Sequence, residues 1–419
     1  MTTPASTADP GSAGPDADAA ALDAAALDAA DPLAGFRDRF AMPEPGLVYL
    51  AGNSLGRPPR RTLERIAAVA QREWTGELVR AWSHWADLPS RAGDALAASV
   101  LGAAPGTVVV TDSTTVNLFR LATAALDDLP QRRAVIAARG DFPTDRYVLD
   151  GLAERRGLDV RWLDGDRVLG PSADDVTAAL DGDVALVLLS HVNYLTAAIA
   201  DVEGIETAAR AAGAHVLWDL SHAAGVMPAN LAARDVGLAV GCTYKYLNGG
   251  PGAPAFMYVA PRLQDRLRPP VDGWFAQVDQ FAMGPVFRRR PGITGWLVGT
   301  PPVLSMTGVL EGAAVAAEAG IEAIRAKSTA LTAYAVALLD AELAPLGCVL
   351  ASPREPSRRG GHVAIRHPDA RELTRRLVER GVVPDFREPD VIRFGLSPLT
   401  TSFADVRRAT DVLRELLAG

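Results

Sequence analysis

The chain has 419 residues, of which 48% are hydrophobic and 22% are charged, and its formal net charge is -8. This composition is typical of a globular protein and excludes a fibrous or wholly disordered chain. The acidic balance lacks the basic surface by which proteins bind nucleic acid or anionic membranes, so neither is expected as a partner.

The first 31 residues are mostly Ala, Asp, Pro, Gly, Ser and Thr, which are too poor in large apolar groups to repay the entropy of ordering. We therefore predict a disordered tail over residues 1–31, with a frayed helix over residues 19–30. No basic residue precedes Arg37, which argues against a secretory signal and favours a cytoplasmic protein.

From residue 47 onward, short apolar runs alternate with amphipathic helical patterns such as residues 116–125 and Val202–Ala212. This alternation predicts a mostly parallel α/β sheet between helices, in a large domain over residues 32–302. The apolar runs read as strands buried on both faces, and they are residues 107–111, 134–138, 184–190, 215–219 and 236–243.

Beyond residue 303 strand and helix alternate less regularly, which predicts a smaller C-terminal α+β domain over residues 303–419. A long helix is expected over residues 306–343. The charge-free run 291–310 approaches the length of a membrane span, but its glycines and the Pro301-Pro302 pair indicate loop and buried core. The other expected elements are strands near 348–351, 362–366 and 382–394, a helix over 370–380, and a final helix to Leu417.

Ligands of an open α/β sheet collect where the strands end, so the residues that follow each strand are candidates for a site. Thr114 and Thr115 follow the first strand at the start of a helix, where free N–H groups favour a phosphate. Asp219 and His222 follow a later strand. Lys245 lies after the next strand, ahead of a glycine-rich loop.

Only two of the 42 basic residues are lysines, Lys245 and Lys327, and lysine is the residue that forms a Schiff base. Pyridoxal phosphate needs such a lysine, a carboxylate at its pyridine nitrogen and an anion cradle for its phosphate. We therefore assign the Schiff base to Lys245. Lys327 lies in a helical pattern near Glu322 and Arg325 and is predicted to be a surface residue.

The lysine motif resembles that of kynureninase, within the class V, fold-type I pyridoxal phosphate enzymes. The resemblance covers roughly residues 45 to 415. The matching segments run in family order and are LAGNSLG (50–56), FPTD (142–145), HVNY (191–194), CTYKYLNGGPGAP (242–254), GWF (273–275) and GTPP (299–302).

The resemblance implies a role for each matching residue. Asp219 would pair with the ring nitrogen, and His222 would support it. Arg393 would bind the substrate α-carboxylate, although a structural role is an alternative because Arg387 lies close by. Thr114 and Thr115 would bind the phosphate and Phe142 would stack on the ring.

The resemblance also implies cofactor contacts by Thr144, Asp145, Ser190 and Tyr244, with a proton relay at Tyr244, and substrate contacts by Asn53 and Ser54. Trp274 and Thr300 would reach the neighbouring subunit's site, which implies a homodimer with shared active sites.

The activity that the resemblance implies is hydrolysis of the Cβ–Cγ bond of L-kynurenine, or of a substituted kynurenine, to anthranilate and L-alanine. Three positions depart from the family pattern: Ala197 stands where glycine is usual, and Ala276 and Gln277 stand where Gly-His is common. These departures leave open whether the substrate is kynurenine, 3-hydroxykynurenine or another modified kynurenine.

Other class V activities are alternatives, namely an aminotransferase, a cysteine desulfurase or a non-catalytic relative. A desulfurase needs a mobile thiol, but Cys242 and Cys348 both lie in apolar strand patterns and are interpreted as packing residues. Two cysteines are also too few for a disulfide framework and lack the spacing of a zinc site, so a reducing compartment and no metal are expected.

Overall fold

A computed structural model describes residues 23–42 and 44–419 of the chain. Its strands are β1 (Val48–Tyr49), β2 (Val108–Val110), β3 (Ala134–Ala138), β4 (Asp159–Leu163), β5 (Val184–Ser190), β6 (His215–Asp219), β7 (Leu238–Gly241), β8 (Phe256–Val259), β9 (Val349–Leu350), β10 (His362–Arg366), β11 (Val382–Val383), β12 (Asp385–Arg387) and β13 (Val391–Gly395). Its α-helices are Ala24–Ala29, Arg60–Ala68, Thr75–Glu77, Trp82–Trp85, Leu88–Leu96, Thr114–Asp128, Pro143–Arg156, Ala173–Ala179, Val202–Ala212, Pro261–Gln264, Val303–Ala319, Ile321–Leu338, Ala370–Glu379 and Phe403–Ala418.

A seven-stranded sheet forms the centre of the larger part, in the order β2-β8-β7-β6-β5-β3-β4. The strands from β7 to β4 pair in parallel, and β8 runs antiparallel to both of its neighbours. Every residue of β5 is buried because helices cover both faces of the sheet, which explains its unbroken apolar sequence. The α/β fold class predicted from the sequence is confirmed.

Sequence patterns missed two strands of this sheet, β4 and β8. β4 lies at the edge and is half-exposed, so charged Asp159 and Arg161 interrupt its apolar pattern. β8 is buried but follows a loop with three glycines, Gly249, Gly250 and Gly252, and its antiparallel direction does not fit a βαβ repeat.

The smaller part contains a four-stranded antiparallel sheet in the order β12-β13-β10-β9. The long helix predicted over residues 306–343 is divided at Gly320, where φ is +77°. Its first half, Val303–Ala319, packs into the core of the large sheet, whereas Ile321–Leu338 packs into the second core through Leu331 and Leu338. The chain therefore passes from the first core to the second near Gly320, whereas the predicted domain boundary is residue 303.

The N-terminal segment also departs from the prediction. Residues 1–22 of the predicted tail lie outside the described residues, but residues 23–31 are folded. Asp28 accepts backbone hydrogen bonds from Phe403 and Ala404, 2.8 and 3.0 Å long, at the start of the last helix. Because charged side chains supply these contacts, a composition rule based on apolar content does not detect them.

Lys327, predicted to lie at the surface, is instead buried in an ion pair with Asp31. The distance from its Nζ atom to the carboxylate is 2.6 Å, and both side chains are 3% exposed. The next segment joins the smaller part as well, since β1 pairs with β11 and Val48 and Leu50 lie in the second core. The large domain predicted over residues 32–302 thus contributes this segment to the smaller one.

One helical stretch, Ile321–Leu346, is long and apolar enough to cross a membrane. Half of its most apolar window is buried inside the protein, and the stretch carries the Lys327–Asp31 ion pair. Core helices have the same composition, and its packing in the second core accounts for it.

Candidate active site

One cavity at the carboxyl end of the large sheet collects most of the residues that the sequence singled out. Ser190 ends β5, Asp219 ends β6, and Lys245 follows β7. The cavity is lined by these three residues together with Thr114, Thr115, Phe142, Thr144, Asp145, Val192, Tyr194, Ser221, His222 and Tyr244.

The Lys245 amine is held between an imidazole and an aromatic ring. Its Nζ atom lies 2.9 Å from His222 Nε2 and 5.8 Å from the centre of the Phe142 ring. Burial and the nearby Lys245 lower the pKa of His222, so the imidazole is neutral near pH 7 and can accept a hydrogen bond from the amine.

Close backbone contacts fix the loop that carries Lys245. Gly56 donates a 2.8 Å hydrogen bond to the Tyr244 carbonyl, and a Cβ atom at position 56 would lie 2.2 Å from the Lys245 carbonyl. On the other side, a Cβ atom at Gly312 would lie 1.9 Å from the Leu247 carbonyl. Sequence patterns did not indicate Gly312. A Cβ atom at Gly308, one helical turn earlier, would likewise clash with the Gly249 carbonyl. The spacing of four residues places both glycines on one face of the helix and is the signal that could have indicated this contact.

Three buried carboxyl groups surround the cavity. Asp219 accepts hydrogen bonds from the Ser221 amide (2.9 Å) and hydroxyl (2.6 Å). Within the part of the chain that the structure describes, neither oxygen of Asp145 has a hydrogen-bond partner. Burial raises the pKa of Asp219 and Asp145, and it raises that of Asp141 to about 6. A cationic group bound among these carboxyls would offset the cost of their burial.

Asp141 is a further member of the site that the sequence analysis missed. It accepts a 3.0 Å hydrogen bond from the Ser190 amide and therefore holds the end of β5. Its position directly before the FPTD motif is the signal that could have indicated it. His362 is a second such residue: it is fully buried, and its ring lies edge-on to His222 with the centroids 5.6 Å apart.

The cavity also has a part that is suited to an anion. Thr114 and Thr115 begin the 15-residue helix Thr114–Asp128, whose first free N–H groups and dipole favour negative charge. The cavity thus contains a lysine amine, buried carboxyls that form no direct ion pair with any residue the structure describes, and an anion-binding helix start. These are the groups that pyridoxal phosphate requires, so the residues present fit this cofactor.

The predicted substrate residues do not line this cavity. Asn53 is fully buried beside the smaller part, where a Cβ atom at Gly395 would lie 2.0 Å from its Oδ1 atom, and its amide atoms have no partner among the described residues. Ser54 is half-buried. Arg393 is fully buried and donates to the carbonyl of Tyr194, which lines the cavity.

Trp274 and Thr300 do not line this cavity. Trp274 is 41% exposed, and Thr300 lies in a separate apolar groove beside Trp74 and Trp82. Among the departures from the family pattern, the Gln277 side chain donates to the Val286 carbonyl (3.2 Å) and so serves a local turn. Ala197 has φ +66°, a conformation that favours the glycine usual in the family.

Among the residues that the structure describes, no group of three or more His, Cys, Asp or Glu side chains is arranged to hold a metal ion.

Comparison with known proteins agrees with this geometry. Residues 324–413 match the family model of the kynureninase C-terminal domain. The chain is 41% identical over 395 residues to kynureninase of Pseudomonas fluorescens, an alignment that covers 92% of this chain and 93% of that protein. This chain belongs to the kynureninase family. Kynureninase of Burkholderia pseudomallei strain K96243 is 42% identical over the same share of each chain.

Solved structures of the same fold are more distant from this kynureninase-family chain. The apo cysteine desulfurase from Thermococcus onnurineus NA1 superposes with a TM-score of 0.78 at 18% identity, covering 89% of this chain and 95% of that one. The cystine C-S lyase C-DES, solved with its product cysteine persulfide, has a TM-score of 0.78 at 19% identity, with 88% and 98% covered. At these identities the likeness shows the fold alone, and it confirms the predicted fold type.

Proposed function

We propose that the protein is a pyridoxal phosphate-dependent hydrolase that cleaves the Cβ–Cγ bond of L-kynurenine, or of a substituted kynurenine, and releases anthranilate and L-alanine. The observation that carries this proposal is the cavity in which Lys245, Asp219 and Thr115 meet. Membership of the kynureninase family supports the choice of substrate among the reactions that such a cavity serves.

The chain's own residues divide the work of holding the cofactor. Lys245 would hold its aldehyde carbon, Asp219 its ring nitrogen, and Thr114 and Thr115 its phosphate, while Phe142 would cover the ring. Bound in this way, pyridoxal phosphate supplies an electron sink for the carbon atoms of the substrate. Further contacts with the cofactor are proposed for Thr144, Asp145, Ser190, His222 and Tyr244.

Lys245 is also the proposed general base. Once the substrate amine has taken its place, the free Nζ atom can remove the proton from the substrate Cα atom and return it elsewhere. His222 Nε2, 2.9 Å away, orients this amine. Burial raises the pKa of the Tyr244 phenol, so it remains a proton donor over the physiological range.

The test is incubation of purified, cofactor-loaded protein with kynurenine and with 3-hydroxykynurenine, following anthranilate fluorescence and alanine together. We expect equal amounts of the aromatic product and alanine from at least one substrate. Lys245→Ala should abolish turnover, and borohydride should no longer fix the cofactor covalently to the chain. Covalent fixation in that variant would contradict the assignment of Lys245. Wild-type inactivity on both substrates would favour another modified kynurenine as the substrate, whereas alanine released without an aromatic product would contradict the proposed reaction.

The alternative activities are less well supported by the site. Cys242 and Cys348 are both buried; burial raises the pKa of Cys242, and it raises that of Cys348 to about 11. Neither thiol suits the mobile nucleophile of a desulfurase. An aminotransferase would require a keto acid and release no anthranilate, so the same product assay distinguishes it.

A homodimer with shared active sites is part of this proposal. Trp274 and Thr300, which line no part of their own chain's cavity, would complete the cavity of the neighbouring subunit. Exposed apolar side chains near Trp274, such as Phe281 (63%) and Met283 (73%), are suited to such an interface. We also propose a cytoplasmic location, since both cysteines are free.

A further inference from the structure

The basic residues beside the cavity form a cluster whose charges do not balance. β12 and β13 are antiparallel, and Asp385 lies directly opposite Arg393 in their register. Arg387 is two residues along β12 from Asp385, and side chains two apart on a strand lie on one face. The three side chains therefore meet on the same face of the small sheet.

The Asp385 carboxylate is shared between the two arginines. Arg387 binds its Oδ1 atom at 2.8 Å, and the Arg393 Nη2 atom binds its Oδ2 atom. Because Arg387 occupies Oδ1, Asp385 binds a single nitrogen of Arg393. It does not form the two parallel hydrogen bonds that are common between a carboxylate and a guanidinium group. Nη1 of Arg393 donates to the Tyr194 carbonyl, and the buried Nε atom has no partner in residues 23–42 and 44–419.

Neighbouring titratable groups do not change the charge of this cluster. His222, His362 and Tyr246 are buried groups that interact with Arg393 from the adjoining elements. Burial lowers the pKa of both histidines and raises the pKa of Tyr246, so all three are neutral near pH 7. Two arginines and one aspartate then leave one uncompensated positive charge beside a free guanidinium nitrogen.

We propose that Arg387 is a positioning residue for substrate binding: by occupying Asp385, it keeps the Arg393 guanidinium available to the α-carboxylate of the amino-acid substrate. This inference rests on the proposed role of Arg393. Without Arg387, Asp385 would also bind the Nε atom of Arg393 and act as an internal substitute for the substrate carboxylate. Arg387 is 35% exposed as a side chain, so its replacement leaves the core intact.

The test compares two small amines that differ in a carboxylate, L-alanine and ethylamine, as probes of the cofactor-loaded protein. Their binding is followed by the change in visible absorbance of the bound cofactor. In Arg387→Met we expect the affinity for L-alanine to fall about tenfold or more, because the remaining ion pair is neutral, while ethylamine affinity changes less than about twofold. Arg387→Lys, which keeps the charge, should retain most of the affinity for L-alanine.

A second substitution tests whether Asp385 is the group that competes with the substrate carboxylate for Arg393. Adding Asp385→Asn to Arg387→Met removes the competing carboxylate, so L-alanine affinity should recover toward the wild-type value. The matched control is Arg366→Met, which breaks a surface ion pair with Asp390 in the same sheet and should leave both affinities unchanged.

The inference would be overturned if Arg387→Met bound L-alanine as wild type does, if it lost both probes equally, or if the double variant failed to recover. These measurements use no kynurenine. A wild-type protein that prefers L-alanine but cleaves no kynurenine, substituted or not, would refute the proposed reaction and leave this inference standing. A wild type that does not distinguish the two probes would refute the role of Arg393 on which the inference rests.

Discussion

At the scale of single residues, charge and burial decide which side chains have a function. Lys245 was predicted from the sequence because lysine is so rare in this chain and because the residue follows a strand. Lys327 was wrongly placed at the surface, since its partner Asp31 lies 296 positions away and local sequence carries no sign of the pairing. His362 was missed for the same reason, since its neighbour His222 lies 140 positions away, whereas Asp141 stands directly before the FPTD motif and could have been indicated by it.

Glu206 provides a residue-scale prediction about pH. It is 5% exposed and accepts a 3.0 Å hydrogen bond from Trp218 Nε1, and burial raises its pKa from 4.5 to about 7. Between about pH 4.5 and 7 the Glu206 carboxyl is therefore protonated in the folded state and ionised in the unfolded state. The contribution of this group to stability is lost as the pH rises through that window.

Glutamine does not ionise, so Glu206→Gln removes the loss of stability at high pH, and its amide oxygen still accepts the hydrogen bond from Trp218. We expect the variant to be more stable than wild type at pH 8 by about 1–3 kcal/mol, with a smaller difference at pH 5, in thermal or urea unfolding. Glu203→Gln, on the same helix with a 75% exposed side chain, is the control and should change little. Equal stability of Glu206→Gln and wild type at pH 8 would show that Glu206 is charged without penalty.

At the scale of helices and strands, the sequence predicted the interior of the large sheet well. β3, β5 and β6 were found with their correct bounds because strands buried on both faces are unbroken apolar runs. The failures lie where apolar content does not decide the structure. They are the half-exposed edge strand β4, the antiparallel β8, and the break at Gly320 between two equally apolar helices.

The contact of the helix Val303–Ala319 with the lysine loop leads to a prediction at this scale. Ala at position 312 would place a methyl group 1.9 Å from the Leu247 carbonyl, so the helix and the loop must move apart. We expect Gly312→Ala to lower the free energy of unfolding by about 1–3 kcal/mol and to weaken cofactor retention on dialysis.

The control for this substitution is Gly76→Ala, at a helical position where an added Cβ atom meets nothing within 4 Å. There alanine should be neutral or slightly stabilising, since it favours helix more than glycine does. The prediction fails if the two variants have the same stability and retain the cofactor equally.

At the scale of the whole molecule, apolar side chains remain exposed beside the site. Beyond Phe281 and Met283, Val286 is 67% exposed on the same segment. The sequence indicated this segment only through the family resemblance. Helices and strands have a regular spacing of apolar residues, whereas a turn that a second subunit covers has none. A second copy of the chain is the occupant that the shared-site proposal requires.

We therefore expect the wild-type protein to have the mass of a dimer in light scattering or sedimentation. Phe281→Glu combined with Met283→Glu should shift it toward the monomer and reduce both cofactor affinity and turnover, because charged groups oppose burial in the interface. Val378→Glu, at a 48% exposed valine of the smaller part, is the control. A fully active wild-type monomer would contradict the shared-site proposal.

The placement of the two lysines has a practical consequence for covalent labelling. Lys327 is sealed in its ion pair, and the Lys245 amine faces the cavity, where the bound cofactor would occupy it. Reagents directed at lysine amines should then find neither lysine open on the loaded enzyme. Lysine labelling would therefore count the molecules that have lost their cofactor.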